Sequence, residues 1–331
     1  MKNLLRILGI MKSHRVGLAL GSGGAKGIAH IAVIEYLESL GIPVHFIAGS
    51  SIGAMVGAIY AAGGMGKFKQ DLLKVSAREL LGYFDPVFPR SGLIEGNRIK
   101  EYLSRYIPRG TTFQDLRIPL GITATDLAAG KPMVFQSGNV IDAIRASISI
   151  PGVFEPVCHG ETILVDGGVA NPLPIDIVKD MGATLVVAVN LHPFLKPGFL
   201  KSRLRASDYT PIDASGVRAA GKRPDLSAGL AEKARGWKWL QSVEKWLGEG
   251  KEKAGPCLPN IFEVLAQSLD IMELVNTRSM IAYNPPAVLI EPELMSLGML
   301  DFTRARDTLE RGTQAALKTE GALKRRIKAK L

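Results

Sequence analysis

Residues 44–62 read VHFIAGSSIGAMVGAIYAA, and the order of residue types along this stretch decides the architecture. The apolar run 44–48 has the composition of a short strand buried on both faces. Gly49-Ser50-Ser51-Ile52-Gly53 follows, and 54–62 then reads as a helix rich in small residues. A G-x-S-x-G pattern between strand and helix is the arrangement of a nucleophile elbow. There the central serine sits in a strained turn, with its hydroxyl presented at the helix N-terminus. Ser51 is therefore the candidate nucleophile, against the plainer reading of a glycine-rich strand-to-helix turn. Gly49 and Gly53 would let strand, turn and helix crowd together.

Working outward, Val16–Leu20 is another short apolar run, followed by the glycine-rich turn GSGGAKG at 21–27. Residues 28–40 show helical spacing at Ile31, Ile34 and Leu37, and Gly41 stands where such a helix stops. The unit is strand–helix–strand. Further strands are predicted over 120–125, 133–136, 162–165, 184–189 and 287–290, with helical segments between several of them. That alternation predicts an α/β fold with a mostly parallel sheet. Residues 66–112 read as a mainly helical insertion. From 193 to 259 strand signals vanish and charge, glycine and proline rise, which reads as a mobile basic insertion rather than a second domain. The apolar spacing over 261–275 predicts a helix that rejoins the core. The expected organisation is a basic N-terminal segment (1–15), a core (16–192), the insertion (193–259), the rest of the core (260–317) and a basic tail (318–331).

The chain has 331 residues and a formal net charge of +10, which favours an anionic partner, either nucleic acid or a membrane surface. No nucleic-acid-binding motif stands behind that charge, so no nucleic-acid partner is expected. Two cysteines, Cys158 and Cys257, lie far apart without C-x-x-C spacing, which argues against a disulfide framework and against a zinc site. The N-terminal MKNLLRILGIMKSHR is interrupted by Arg6 and Lys12, and no run reaches the roughly 18 apolar residues of a spanning helix. A cytoplasmic protein is expected, with peripheral contact at the inner face of the membrane. The three tryptophans, Trp237, Trp239 and Trp246, lie among Lys233, Arg235, Lys238 and Lys245. A helix over 231–248 would suit an anionic membrane surface or simple docking on the core.

A serine hydroxyl needs a base to become a nucleophile, and donors for the oxyanion it creates. The turn 21–27 offers backbone N–H groups at a helix N-terminus. Its rival readings fit less well. A dinucleotide fingerprint would need its last glycine one residue earlier and an acidic residue at the end of the second strand, and a P-loop needs Gly-Lys-Ser/Thr where this chain has Ala-Lys-Gly. A phosphate headgroup near Lys26 is compatible with the oxyanion reading. Asp166, in VDGG at the end of a predicted strand, is a candidate base on the same rim as Ser51, unless it is an ordinary Asp-Gly turn. The order Ser51, Asp166, His192 also satisfies a Ser–Asp–His triad. The remaining histidines are His14, His30, His45 and His159.

Four pieces in order resemble a known family: GSGGAKG at 21–27, GSSIG at 49–53, ASISIPGVFEPV at 146–157 and DGG at 166–168. The chain resembles bacterial patatin-like phospholipases, including the branch related to neuropathy target esterase. The likeness covers roughly 16–192, and SLDIM, PPAVLI and MLDF further on resemble the bacterial branch too. The resemblance implies a three-layer patatin-like α/β fold, with a central, mostly parallel sheet and helices on both faces, and a lipid acyl-hydrolase of the phospholipase A or lysophospholipase type. It implies a Ser51–Asp166 dyad without a catalytic histidine, an oxyanion hole from Gly23 and Gly24, and a basic position at Lys26. No metal and no cofactor are implied, and the substrate is a phospholipid or another lipid ester. Ser22 departs from the glycine common there, a change that keeps the backbone N–H. A Ser51–Asp166–His192 esterase and a non-catalytic lipid-binding protein on the same fold are the other readings.

Overall fold

The computed structural model of the chain describes residues 14–74, 96–192, 261–294, 296–298 and 301–328. The helix expected over 231–248, with the rest of 193–260, lies outside the described residues, as do 1–13. The strands are β1 (Val16–Leu20), β2 (Phe46–Ser50), β3 (Leu120–Asp126), β4 (Lys131–Phe135), β5 (Val157–His159), β6 (Thr162–Asp166), β7 (Leu185–Val189) and β8 (Val288–Ile290). The α-helices are α1 (Ile28–Ser39), α2 (Ile52–Ala62), α3 (Met65–Lys74), α4 (Asn97–Leu103), α5 (Val140–Ser147), α6 (Ile175–Asp180), α7 (Ile261–Tyr283), α8 (Ala305–Lys318) and α9 (Glu320–Leu323).

The described strands form one eight-stranded sheet, with neighbours in the order β5-β6-β3-β2-β1-β7-β8 and β4 also on β3. From β3 to β8 the neighbours run parallel. Successive side chains of a strand point to opposite faces. In β1 and β7, Val16, Leu18, Leu20, Leu185, Val187 and Val189 enter the larger core with α1, α2 and α8. Ala19, Val186 and Ala188 enter a smaller core with α6 on the other face. Helices thus cover both faces, the three layers expected, and the central strands read as unbroken apolar runs because neither face meets water.

The antiparallel part of the sheet positions the site. Ile122 pairs with both Gly49 and Phe135, and Ala124 with both Met133 and Asp166. A residue has one partner per edge, so β4 occupies one edge of β3 while β2 and β6 share the other. On that shared edge Ser50 of β2 pairs with Thr123, and Asp166 of β6 pairs with Ala124. Because β2 runs parallel to β3 and β6 antiparallel, their carboxyl ends meet head to head. The sequence places Asp166 on the common rim of parallel strands; the structure brings it there from the opposite direction.

Several boundaries differ from expectation for identifiable reasons. The strand predicted over 44–48 is found at Phe46–Ser50. His45 lies just ahead of it: its N–H donates to the Val16 carbonyl (2.8 Å) and its Nδ1 accepts from the Val16 amide (3.0 Å). Helix α2 starts at Ile52, so Ser51 alone separates strand and helix. Helix α7 runs to Tyr283 rather than 275, stopping before Asn284-Pro285, where proline restricts the preceding residue. Strand β5 was too short for periodicity to show, and pairs with β6 across the two-residue turn Gly160-Glu161. The tail expected from 318 is helical through α9 and a π-turn, Lys324–Lys328, with Leu323 fully buried in the larger core.

Candidate active site

Ser51 has φ 53° and ψ −121°, and is the sole non-glycine residue with positive φ among the described residues. Such a conformation costs roughly 1–3 kcal/mol and persists only where the surroundings enforce it. Here the enforcement is steric and local. A Cβ at Gly53 would lie 2.2 Å from the Leu20 carbonyl oxygen, and one at Gly49 would lie 2.5 Å from the Ala54 amide nitrogen. The two glycines therefore let strand, turn and helix approach as closely as an elbow requires. The turn delivers the Ser51 hydroxyl to Asp166, with Oγ donating to Oδ2 at 2.6 Å.

The third sequence block, 146–157, braces both partners. The Ser51 amide donates to Ser147 Oγ at 2.9 Å, and the Asp166 amide donates to the Ser149 carbonyl at 2.9 Å. Ile150 and Pro151 of the same block line the cleft above the pair. Asp166 is 3% exposed, and its Oδ1 accepts from the Gly168 amide at 2.7 Å. Burial, helped by the nearby Glu273 charge, pushes its pKa up to about 8, while the hydrogen bonds from Ser51 and Gly168 pull the other way. A carboxyl shifted in this direction is a stronger base than an ordinary aspartate.

Gly23 and Gly24 line the same cleft as Ser51 and Asp166. They open the 3-10 turn Gly24–Gly27, whose first N–H groups lack acceptors within the helix. The Ser22 amide is engaged with the Pro172 carbonyl (2.8 Å), and the Gly21 amide with Val189 (3.1 Å). Beneath the turn, buried His30 donates from Nε2 to the Gly21 carbonyl at 2.8 Å. Burial lowers its pKa to about 4, so it is a neutral strut at physiological pH.

His192 does not stand between Ser51 and Asp166, which meet directly. It is buried beside Gly23, with Nε2 2.6 Å from Glu273 Oε2 and Nδ1 3.9 Å from Asp270 Oδ1. The Glu273 approach is close without the alignment of a hydrogen bond. Lys26 is buried too, and faces Asp270 at 3.7 Å rather than lining the cleft. Ser22 Oγ completes the cluster, donating to Glu273 Oε2 at 2.9 Å. Burial would push the Glu273 carboxyl up, but His192, Ser22 and Lys26 outweigh it and hold the group below its ordinary value. His192, Asp270 and Glu273 each bring a polar atom within 4.8 Å of the others, with the Lys26 ammonium beside Asp270.

Sequence reading missed Glu273 and Asp270, although SLDIM at 268–272 drew notice. The available signal was helical: Leu269, Glu273 and Thr277 recur every four residues on one stripe of α7, and all three are buried. Leu269 and Glu273 line the cleft, and Asn276 donates to the Val169 carbonyl (2.9 Å), docking α7 on the turn after Asp166. Among the described residues, no helix is long and apolar enough to cross a membrane.

The family model described as patatin-like phospholipase matches residues 18–179, the span from β1 through α6 that holds both Ser51 and Asp166. An uncharacterised NTE family protein of Mycobacterium tuberculosis is 34% identical over 336 residues, covering 94% of this chain and 92% of that protein. An uncharacterised NTE family protein of Mycobacterium bovis is 28% identical over 307 residues, covering 91% of this chain and 46% of its own length. Patatin-like phospholipase domain-containing protein 6 of Homo sapiens is 30% identical over 192 residues, 56% of this chain but 14% of that larger protein. With the family model matched from β1 through α6 and a relative alike along nearly its whole length, the chain belongs to the NTE family of patatin-like phospholipases.

Proposed function

We propose that the protein is a serine acyl-hydrolase that cleaves lipid carboxylic esters, of the phospholipase A or lysophospholipase type, through Ser51 and Asp166. The observation that carries this reading is the 2.6 Å hydrogen bond from Ser51 Oγ to a buried Asp166 carboxylate, made from a strained strand-to-helix turn. Family membership supports lipid as the substrate class.

In the proposed reaction, Asp166 Oδ2 takes the hydroxyl proton as Ser51 Oγ bonds to the ester carbonyl carbon. The carbonyl oxygen becomes an oxyanion facing the Gly23 and Gly24 amides. Collapse breaks the bond to the leaving alcohol, which departs with the proton from Asp166 and leaves the acyl group on Ser51. Water then attacks the acyl carbon while Asp166 accepts its proton. Release of the fatty acid returns that proton to Ser51. The direct Ser51–Asp166 contact favours this dyad over a triad through His192, whose ring is paired with Glu273. A headgroup contact from Lys26 would require the ammonium to leave Asp270.

Activity on a short-chain ester and on a lipid panel, with fluorophosphonate labelling, tests the proposal. Ser51→Ala should abolish labelling and turnover, and Asp166→Asn should lower turnover by about 10³-fold or more. His192→Asn should retain labelling at Ser51. Turnover surviving in Ser51→Ala rejects the nucleophile. Loss of labelling in His192→Asn favours the triad. A folded wild-type protein that neither labels nor turns over any ester favours a lipid-binding role.

A further inference from the structure

We infer that Glu273 is a positioning residue of this hydrolase, a second carboxylate that ties helix α7 to the oxyanion turn and governs how readily Asp166 gives up its proton. The inference rests on the Ser51–Asp166 reading above. Glu273 comes from an element far from the elbow in sequence, yet its carboxylate faces the cleft with Ser51, Asp166, Gly23 and Gly24. One oxygen, Oε2, takes the Ser22 hydroxyl at 2.9 Å and stands 2.6 Å from His192 Nε2. The other oxygen points at the turn after Asp166. A Cβ at Gly168 would lie 2.2 Å from Glu273 Oε1 and 3.0 Å from Asp166 Oδ1, so the two carboxyl groups flank one bare backbone position. Any side chain at residue 168 would displace Glu273.

Two buried carboxyl groups this close influence each other's protonation, an effect felt over roughly 4–6 Å. The groups around them settle which one carries the charge. Asp166 faces the Ser51 hydroxyl, the Gly168 amide and Glu273. Glu273 faces Ser22 and Lys26 of the oxyanion turn, His192 after β7 and Asp270 on its own helix. Positive charge and donors gather on the Glu273 side, so Glu273 holds its negative charge and Asp166, beside it, holds a proton more firmly. Environments that push paired groups apart in this way separate their roles. The charged form of Glu273 stays fixed, and Asp166 is the group that exchanges a proton during turnover.

The sign of the pH effect follows. Asp166 acts as a base only when deprotonated, so kcat/KM should rise with pH along a limb near 8. Removing the Glu273 charge removes repulsion, lowers the Asp166 pKa and moves that limb to lower pH. The test is the pH profile of ester hydrolysis for wild type, Glu273→Gln, Glu273→Asp and Asp166→Asn, with folding checked by circular dichroism. Glu273→Gln should move the limb down by about one pH unit, a roughly tenfold gain over wild type well below the limb once each profile is normalised to its plateau. Glu273→Asp draws the charge back by one methylene and should move the limb the same way by a smaller step, so either variant serves if the other fails to fold. A purely structural role would lower the plateau and leave the limb in place; an unmoved limb in a folded variant overturns the inference. Asp166→Asn separates the two readings: near wild-type turnover there rejects the dyad, whereas a loss of about 10³-fold or more in Asp166→Asn with an unmoved limb rejects Glu273 alone.

Discussion

On the elbow side of the cleft, Ser51 is held by backbone crowding, with Leu20, Gly49 and Gly53 packed at distances no added carbon could survive. On the α7 side, Glu273 is held by opposite charge and hydrogen bonds, in a cluster with Ser22, Lys26, His192 and Asp270. The first kind of constraint is steep and local. The second is graded, because each partner removed leaves others in place. The proposed hydrolysis would need both kinds, since a nucleophile must be fixed in direction while the proton affinity of its base must be set within a narrow range.

Three substitutions sharpen that contrast. Gly53→Ala is expected to be the most damaging, because its Cβ would meet the Leu20 backbone rather than a side chain that could swing away. A loss of about 3 kcal/mol or more is expected, seen as a lower urea midpoint with an unchanged slope; a wild-type midpoint would break the steric account. Ser147→Ala removes the acceptor of the Ser51 amide without touching the hydroxyl. An unpaired buried N–H costs about 1–3 kcal/mol, so kcat should fall by about tenfold or more at unchanged KM; an unchanged kcat would remove Ser147 from the elbow. Ser22→Ala takes one donor from Glu273 and leaves His192 and Lys26 in place. The expected loss is about 1 kcal/mol, near fivefold in kcat/KM. A loss as large as that of Ser147→Ala would mean the α7 side is as brittle as the elbow side.

The same contrast explains what could be read from sequence. The elbow is a contiguous pattern, so Gly49, Ser51 and Gly53 announce both the fold and the proposed nucleophile within five residues. The parallel strands were legible as apolar runs, and Asp166 as a carboxylate at a strand end. The direction of β6 was not legible, because the strand is apolar in either orientation and the choice is made by pairing with β3. Glu273 was less accessible still. Its contact with Ser22 spans 251 residues, and one acid on an amphipathic helix looks like a solvated charge until the partners of the other elements surround it. The block at 146–157 was visible as a motif but not as a mechanism: its Ser147 hydroxyl and Ser149 carbonyl bind the two halves of the pair through backbone amides, which no residue pattern displays.

The meeting of β2 and β6 along one edge of β3 has a consequence for how this architecture can change. Thr123 and Ala124 are successive residues, and each is the pairing partner of one carboxyl end, Ser50 on one side and Asp166 on the other. The spacing between Ser51 and Asp166 is thus measured off by a single peptide unit of β3. The segment joining β2 to β3 begins with Ser51 itself, and the one joining β3 to β6 carries Ser147 and Ser149, which hold the two amides; only those residues of the connections bear on that measurement. Elsewhere along their length the connections are free to lengthen, shorten or acquire new surfaces while Ser51 and Asp166 keep their distance.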